Sequence, residues 1–276
     1  MTDQNRVNER DRQLKNLARE IKASERVVVI TGAGVSVASG IAPFRKSPDA
    51  VWEQNLTERG TLRYFLDHPS EAWAWYDQRF SDLTDKEPNS AHEALVQIER
   101  WCISEEIEMT LITQNVDRLH LKAGSENVIE IHGRSDRARC TSHHCDLGSS
   151  KGSIDRRKLS FDLFKLKPTD ENLPCCPQCQ SLVRPHVLWF DETYDSHQDY
   201  QYTKAVHALE NADLIIAIGT SFSVGITELA LYCAELYGSM IWGIDLGEDL
   251  EVGVDEWVIG KAEEIIPLLR DHLSNE

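Results

Sequence analysis

Thr113-Gln114-Asn115-Val116-Asp117 follows the apolar run Met109 to Ile112, and further on Ile129-Glu130-Ile131 delivers His132-Gly133. Two apolar runs that each end in polar side chains read as two strand ends facing one cleft, the place where ligands bind in open α/β sheets. The amides of Gln114 and Asn115 and the carboxylate of Asp117 can hydrogen-bond a carboxamide or a pair of vicinal hydroxyls. An Asx-turn or a helix cap uses the same residue types. A histidine that is neutral near physiological pH can take a proton from a hydroxyl. Taken alone, His132 reads more readily as a satisfied core residue than as a base, and three other motifs reverse that choice.

The first is Gly32 to Arg45, GAGVSVASGIAPFR. A Gly-rich turn after a strand lets backbone N–H groups approach a pyrophosphate. The spacing is not G-x-G-x-x-G, and a tight turn accounts for the same glycines. Arg45 adds a charge-assisted phosphate contact. The second is Cys140-x4-Cys145 followed, roughly 30 residues later, by Cys176-x2-Cys179. Two thiolate pairs suit a closed, structural tetrahedral zinc site. Cys175 can stand in for Cys176, and His143 and His144 are alternative ligands. The third is Gly219-Thr220-Ser221 after DLIIAI, a small hydroxyl-bearing strand end that faces a nucleotide or caps a helix.

Elements that place these residues are legible in the pattern. Leu14, Leu17, Ala18 and Ile21 recur at helical spacing. Arg26 to Thr31 (RVVVIT), Met109 to Thr113, Val128 to Ile131, Asp213 to Ile218 and Met240 to Ile244 are buried-strand runs. Helices are predicted over 226–236 and 261–273, with several short ones in 50–100. Strands alternating with helices imply a parallel sheet with helices on both faces, an α/β fold. Residues 137–185, rich in Cys, Ser, Lys and Pro, read as an insert.

The 276 residues suit one large domain or a domain with an insert. The net charge of −17, from 29 basic and 46 acidic side chains, argues against nucleic-acid backbone binding and tolerates basic peptides. The first residues are polar, no run of about 18 apolar residues occurs, and the seven cysteines are odd in number and clustered. The expectation is a reducing, cytoplasmic setting with no membrane span.

Gly32-Ala33-Gly34-x-Ser36, Gly40-Ile41, Phe44-Arg45, Thr113 to Asp117, His132-Gly133, the paired cysteines, Arg184-Pro185-x-Val187-x-Trp189-Phe190 and Gly219-Thr220-Ser221 fall in the order seen in the sirtuins. The chain resembles this family of NAD-dependent protein-lysine deacylases over roughly residues 26–272. The resemblance implies a Rossmann-like NAD-binding domain from 1–48, 108–134 and 186–276. A smaller domain would combine a helical insert, 49–107, with a four-cysteine zinc module, 135–185. It implies that NAD contacts Gly32, Ala33, Gly34, Ser36, Ile41, Phe44, Arg45, Gln114, Asn115, Asp117, Gly219, Thr220, Ser221, Asp245, Lys261 and Ala262. His132, Asn115 and Asp117 are the implied catalytic residues. In the mechanism the resemblance implies, the acyl-lysine carbonyl oxygen attacks the ribose C1′ and nicotinamide leaves; His132 deprotonates a ribose hydroxyl, which attacks the alkylimidate carbon, and water completes the reaction to lysine and O-acyl-ADP-ribose. The acyl-lysine peptide would lie as a strand near Val187 to Glu192, against Val187, Trp189 and Phe190, and Zn2+ would hold Cys140, Cys145, Cys176 and Cys179 together. Tyr76-x-x-Arg79 matches the sirtuin class that accepts succinyl and malonyl groups, with Arg79 donating to the distal carboxylate.

Several positions depart from the family pattern: Ala42-Pro43 before Phe44, Arg134 after His132-Gly133, Asp191 where Gly is common, Gly225-Ile226 where a Pro-containing continuation is usual, and Asp245 in place of Asn. Asp at 191 tolerates a left-handed backbone. A carboxylate at 245 accepts from ribose hydroxyls and repels a 2′-phosphate. NAD glycohydrolysis or ADP-ribosyl transfer from the same pocket, and a non-catalytic NAD- or ADP-ribose-binding module, are the alternative readings.

Overall fold

The computed structural model describes residues 3–42, 59–222, 224–247 and 253–274. Phe44 and Arg45, and with them Pro43, lie outside the described residues.

Helix α1 (Asp3–Ala23) leads into strand β1 (Arg26–Thr31) and a 3-10 turn (Ala33–Ser39). Three helices follow: α2 (Leu62–Asp67), α3 (Pro69–Thr84) and α4 (Ser90–Ser104). Strand β2 (Glu108–Thr113), helix α5 (Leu119–Ala123) and strand β3 (Val128–Glu130) come next. The chain then enters strands β4 (Gly133–Cys140) and β5 (Ile154–Asp155), helix α6 (Asp162–Leu166) and strand β6 (Val183–Val187). Helix α7 (Tyr202–Glu210), strand β7 (Leu214–Ile218), helix α8 (Gly225–Tyr237), strands β8 (Met240–Asp245) and β9 (Glu256–Ile259) and helix α9 (Ala262–Ser274) complete it.

Strands β3-β2-β1-β7-β8-β9 form one parallel sheet in that order. The period-2 alternation of side chains divides its apolar residues between two cores. Val27, Val29, Met109, Leu111, Leu214, Ile216 and Trp242 pack on α1, α4 and α9. Val28, Ile30, Ile112, Ile129, Ile215, Ala217 and Ile241 pack on α7 and α8. Because both faces are covered, the strands read as continuous apolar runs rather than alternating ones. The chain switches direction across the sheet between β1 and β7, and the functional loops leave the carboxyl ends there.

A second sheet, β5-β4-β6, is antiparallel and lies in the segment read as an insert. Its apolar face, including Ala138, Cys140, Val183 and Val187, packs with Trp73, Tyr76 and Phe80 of α3 in a third core. Its remaining side chains include Arg139, Arg184 and His186, all buried. This explains why β4, with the sequence GRSDRARC, escapes the strand pattern. Its second face meets charged partners instead of solvent or an apolar layer. Gly133, which opens β4, takes φ +86 and sits so close to β6 that a Cβ would lie 2.3 Å from the His186 carbonyl oxygen. Only glycine combines that backbone with that approach.

Candidate active site

The carboxyl ends of β1, β2, β3 and β7 bring the sequence motifs together. Gly32 N donates to Ile218 O at 3.0 Å and Gly34 N to Gly219 O at 2.9 Å. A Cβ on Gly34 would lie 2.6 Å from Gly219 Cα. The glycines thus let two strand ends cross in contact. The amides of Gly32 and Gly34 serve that crossing, so the backbone donors these two glycines bring are already engaged within the protein.

Behind this crossing runs a directed chain of side chains. Gly32 O can only accept, so the Asn115 amide is fixed with Nδ2 donating to it at 3.0 Å and to Ser36 Oγ at 3.1 Å. Ser36 in turn donates to Asp117 Oδ2 at 2.7 Å, and Leu119 N donates to Asp117 Oδ1 at 2.9 Å. The carboxylate therefore organises both the 3-10 turn and the start of α5. Asn115 is buried, and its Oδ1 remains the acceptor of the group. Burial pushes the Asp117 carboxyl upward, opposed by the Leu119 N–H, the Ser36 hydroxyl and the Arg79 charge. Gln114 Nε2 donates to Thr220 Oγ1 at 3.0 Å, tying the β2 loop to the β7 loop. Ile41 follows the turn, its N–H on Ser36 O at 3.4 Å. Ser221 is exposed beside Thr220. Asp245 ends β8 and its carbonyl accepts from Gly260 N at 2.9 Å, so Lys261 and the first residue of α9, Ala262, lie at the same rim.

His132 follows β3. Its Nδ1 lies 3.0 Å from Gln114 O and its Nε2 lies 3.2 Å from the Tyr194 hydroxyl. A carbonyl accepts only, so Nδ1 carries the hydrogen and Nε2 the lone pair. Part of the imidazole surface remains open to the cleft, yet the surrounding protein pushes its pKa down to about 4, with the Gln114 hydrogen bond opposing. It is a neutral base across the physiological range. Leu188 N donates to His132 O at 2.9 Å, which sets the end of β6 beside it.

The departures from the family pattern acquire structural roles. Asp191 does not take a left-handed backbone. Its carboxylate accepts from Leu62 N at 2.7 Å and Arg63 N at 3.1 Å, capping α2 from across the fold. Arg134 forks onto Asp136 at 3.0 and 2.9 Å and lies 3.6 Å from the buried Glu130. The residues that follow β6 are held by a buried cluster. Glu192 accepts from Arg139 at 2.8 Å, from Arg184 at 2.6 and 2.8 Å, and from Trp189 N at 3.1 Å. The Arg184 guanidinium lies 3.5 Å over the Trp189 ring, and Trp189 Nε1 donates to the Tyr76 hydroxyl at 2.6 Å. Phe190 stays exposed, its N–H on Gly60 O at 2.9 Å. Arg79, half-buried one turn beyond Tyr76, acts electrostatically on both Tyr76 and Asp117. Sequence reasoning singles out neither Glu192 nor Tyr194. An acidic residue near Arg184 is the available signal for the first; nothing in spacing signals the second.

The sulfurs of Cys140, Cys145, Cys176 and Cys179 all lie within 4.8 Å of one another, with Cys140–Cys179 at 3.4 Å and Cys145–Cys176 at 3.7 Å. Four sulfurs about 2.3 Å from one tetrahedral Zn2+ would stand about 3.8 Å apart, so the cluster fits a structural zinc. Cys175 is exposed and His143 and His144 lie outside the cluster, which leaves the four-thiolate set. Among the described residues no helix is long and apolar enough to cross a membrane.

This geometry agrees with comparison to known proteins. The sequence pattern of the Sir2 family matches residues 32–225. The chain belongs to the Sir2 family. It is 34% identical to NAD-dependent deacetylase sir2E of Dictyostelium discoideum, over 94% of this chain and 77% of that protein. It is 35% identical to NAD-dependent protein deacetylase 1 of Pyrobaculum aerophilum, over 95% of each. Among solved structures it is similar to a Sir2 homologue–NAD complex, at 35% identity and TM-score 0.78, covering 94% of this chain and 93% of that one. It is also similar to a Sir2–p53 peptide–NAD+ complex, at 28% identity and TM-score 0.77, covering 95% and 99%. The parallel sheet with helices on both faces is thus the Sir2 fold.

Proposed function

We propose that the protein is an NAD-dependent protein-lysine deacylase whose reaction runs at the carboxyl ends of β1, β2, β3 and β7. The observation that carries this reading is His132, a neutral imidazole with Nδ1–H fixed on Gln114 and a basic Nε2, in the same cleft as Asn115, Asp117 and Ser36. NAD supplies an electrophilic ribose carbon and the hydroxyl that receives the acyl group. The touching backbones at Gly32, Gly34 and Gly219 leave no side chain between a dinucleotide and the strand ends. Asn115 Oδ1 is positioned as an acceptor for a carboxamide N–H, oriented by Gly32 and Ser36. Asp117 braces that amide through Ser36. His132 is the base for a ribose hydroxyl, and its Nε2 is the site that gains a proton. The peptide pairs along the end of β6 and the loop to Glu192, held rigid by Arg139 and Arg184. Asp245, Lys261 and Ala262 line the adenosine end of the rim, and the four-cysteine zinc fixes β4 against β6.

The acyl group includes succinyl and malonyl in this reading. Tyr76 and Arg79 share a face of α3. The Tyr76 hydroxyl accepts from Trp189 and so keeps its own hydrogen to donate. Arg79 adds a positive charge beside it. An acidic acyl chain would meet both.

Product analysis by mass spectrometry with NAD and acetyl-lysine, succinyl-lysine or unmodified peptide tests the reading. O-acyl-ADP-ribose is expected with the acylated peptides, preferentially the succinyl one. Plain ADP-ribose in all three reactions would overturn deacylation in favour of NAD glycohydrolysis.

A further inference from the structure

Tyr194 closes on the general base in a way the family motifs do not account for. Its hydroxyl lies 3.2 Å from His132 Nε2, and its ring stacks on the imidazole with centroids 5.8 Å apart and planes 22° from parallel. Every hydrogen in this contact is determined. Gln114 O takes the Nδ1 hydrogen, so Nε2 accepts and Tyr194 donates. Ile226 N donates to the Tyr194 oxygen at 3.2 Å.

The tyrosine is held independently of His132. Tyr202 stacks on its other side at 5.4 Å and 15°. Gly225 makes room for it: a Cβ there would lie 3.2 Å from Tyr194 Cε2 and 3.6 Å from the hydroxyl. A proline at 226 would have no N–H to give. Gly225-Ile226 therefore replaces the usual Pro-containing continuation with one that accommodates and hydrogen-bonds Tyr194.

Imidazole Nε2 has a single in-plane lone pair, and the Tyr194 O–H occupies it. A ligand hydroxyl reaching this nitrogen would have to displace a side chain already held by the Tyr202 ring and the Ile226 N–H. The Tyr194 oxygen, by contrast, accepts one N–H and has a second lone pair. We propose that Tyr194 is a catalytic residue that relays the ribose proton to His132. In that step the ribose O–H bond breaks and its proton bonds to the Tyr194 oxygen, while the Tyr194 proton bonds to His132 Nε2. The ribose oxygen keeps the electron pair, tyrosine ends neutral and His132 ends as imidazolium. The Ile226 N–H, in the first turn of α8, steadies the negative charge that builds on the phenolic oxygen in passing. Burial pushes the phenol up to about 12, so it is a donor throughout the neutral range. Besides His132, the titratable groups acting on it are Tyr202 and Glu228.

The relay rests on His132 being the general base, and the test separates the two. In NAD-free protein, long-range 1H–15N NMR reads the His132 imidazole directly. Tyr194→Phe keeps the ring and removes the O–H, so His132 stays an Nδ1–H tautomer and titrates at higher pH. With NAD and acylated peptide, O-acyl-ADP-ribose formation by Tyr194→Phe falls by about 10²-fold or more. Nicotinamide exchange, which precedes the base's action, is retained. Gly225→Ala, which crowds the same ring, moves the His132 titration in the same sense. An unmoved titration in Tyr194→Phe, or turnover within about twofold of wild type, would overturn the relay and leave deacylation standing. Absence of O-acyl-ADP-ribose from the wild type with intact NMR contacts would instead overturn the deacylase reading and the relay with it.

Discussion

Glu192→Gln tests how the loop after β6 is held. Glu192 is the common anion for two guanidiniums, and the three side chains are only 4% (Arg184), 8% (Arg139) and 10% (Glu192) exposed. Solvent cannot screen this cluster as it does a surface pair. Gln keeps the shape and one acceptor oxygen, but it leaves two buried guanidiniums without the carboxylate that pairs them, with only the more distant Asp199 charge acting on Arg139, and points an amide N–H toward them. Breaking a buried pair by removing one charge costs about 3–5 kcal/mol. At about 2–4 °C per kcal/mol for a chain of this size, the melting temperature at neutral pH should fall by roughly 6–20 °C.

Acid provides an independent check of sign. Burial raises the Glu192 carboxyl, but the Arg184 hydrogen bonds and the charges of Arg184 and Arg139 outweigh it, and its pKa in the fold lies below the usual value. The stabilisation is present above the unfolded carboxyl's pKa of about 4.3 and is lost as pH falls through the lower folded value. Thermal melts from neutral pH to about pH 3 should therefore converge for the two proteins. A Glu192→Gln melting temperature within about 2 °C of wild type at neutral pH would refute the argument, because it would mean the guanidiniums find other anions or water.

Three further outcomes are expected. His132→Ala should abolish O-acyl-ADP-ribose formation while isothermal calorimetry still detects NAD binding, because its contacts are to Gln114 and Tyr194 rather than to the glycine crossing; retained turnover would exclude it as the base. Cys176→Ala should lose stoichiometric zinc by elemental analysis and melt at lower temperature, since it removes one of four converging sulfurs; a fully folded, metal-free wild type would contradict the zinc assignment. Arg79→Met should lower kcat/KM for a succinyl peptide at least tenfold more than for an acetyl peptide, the loss of a charge-assisted hydrogen bond being worth about 1.5–3 kcal/mol; equal losses would mean that Arg79 reads no carboxylate.

The parts of the fold that can be read from sequence are those where one physical cause acts alone. RVVVIT is a strand because both its faces are apolar, and its observed limits, Arg26–Thr31, match the run. The helices predicted over 226–236 and 261–273 occur as Gly225–Tyr237 and Ala262–Ser274, since one apolar stripe sets each. Where two causes compete, the pattern is lost. Strand β4 carries Ala138 and Cys140 on an apolar core and Arg139 on a buried anion. No single-residue preference announces a buried arginine, because its partner Glu192 is distant in sequence. In sequence Asp191 reads through its own backbone, whereas its role is set by the amides of Leu62 and Arg63. His132, Asn115 and Asp117 are visible because each ends an apolar run. Tyr194 is not, because it lies on a short 3-10 turn with no periodicity.

Asp191, Glu192 and Tyr194 share one segment. Between Trp189 and Tyr202, each functional side chain reaches a different part of the molecule. Asp191 caps α2, Glu192 ties Arg139 of β4 to Arg184 of β6, and Tyr194 touches both His132 and the first turn of α8. His197 and Asp199 complete the series on His186 of β6, the latter at 3.1 Å. The segment is thus the seam between the parallel sheet and the smaller antiparallel one, and it includes Phe190, proposed above to line the peptide. Loosening it at Glu192 should be felt at the base that Tyr194 touches. The His132 titration proposed for Tyr194→Phe should then also shift in Glu192→Gln, by less, because the Tyr194 ring is still held by Tyr202 and Ile226. A cluster that merely stabilised the fold would lower the melting temperature and leave that titration where it was.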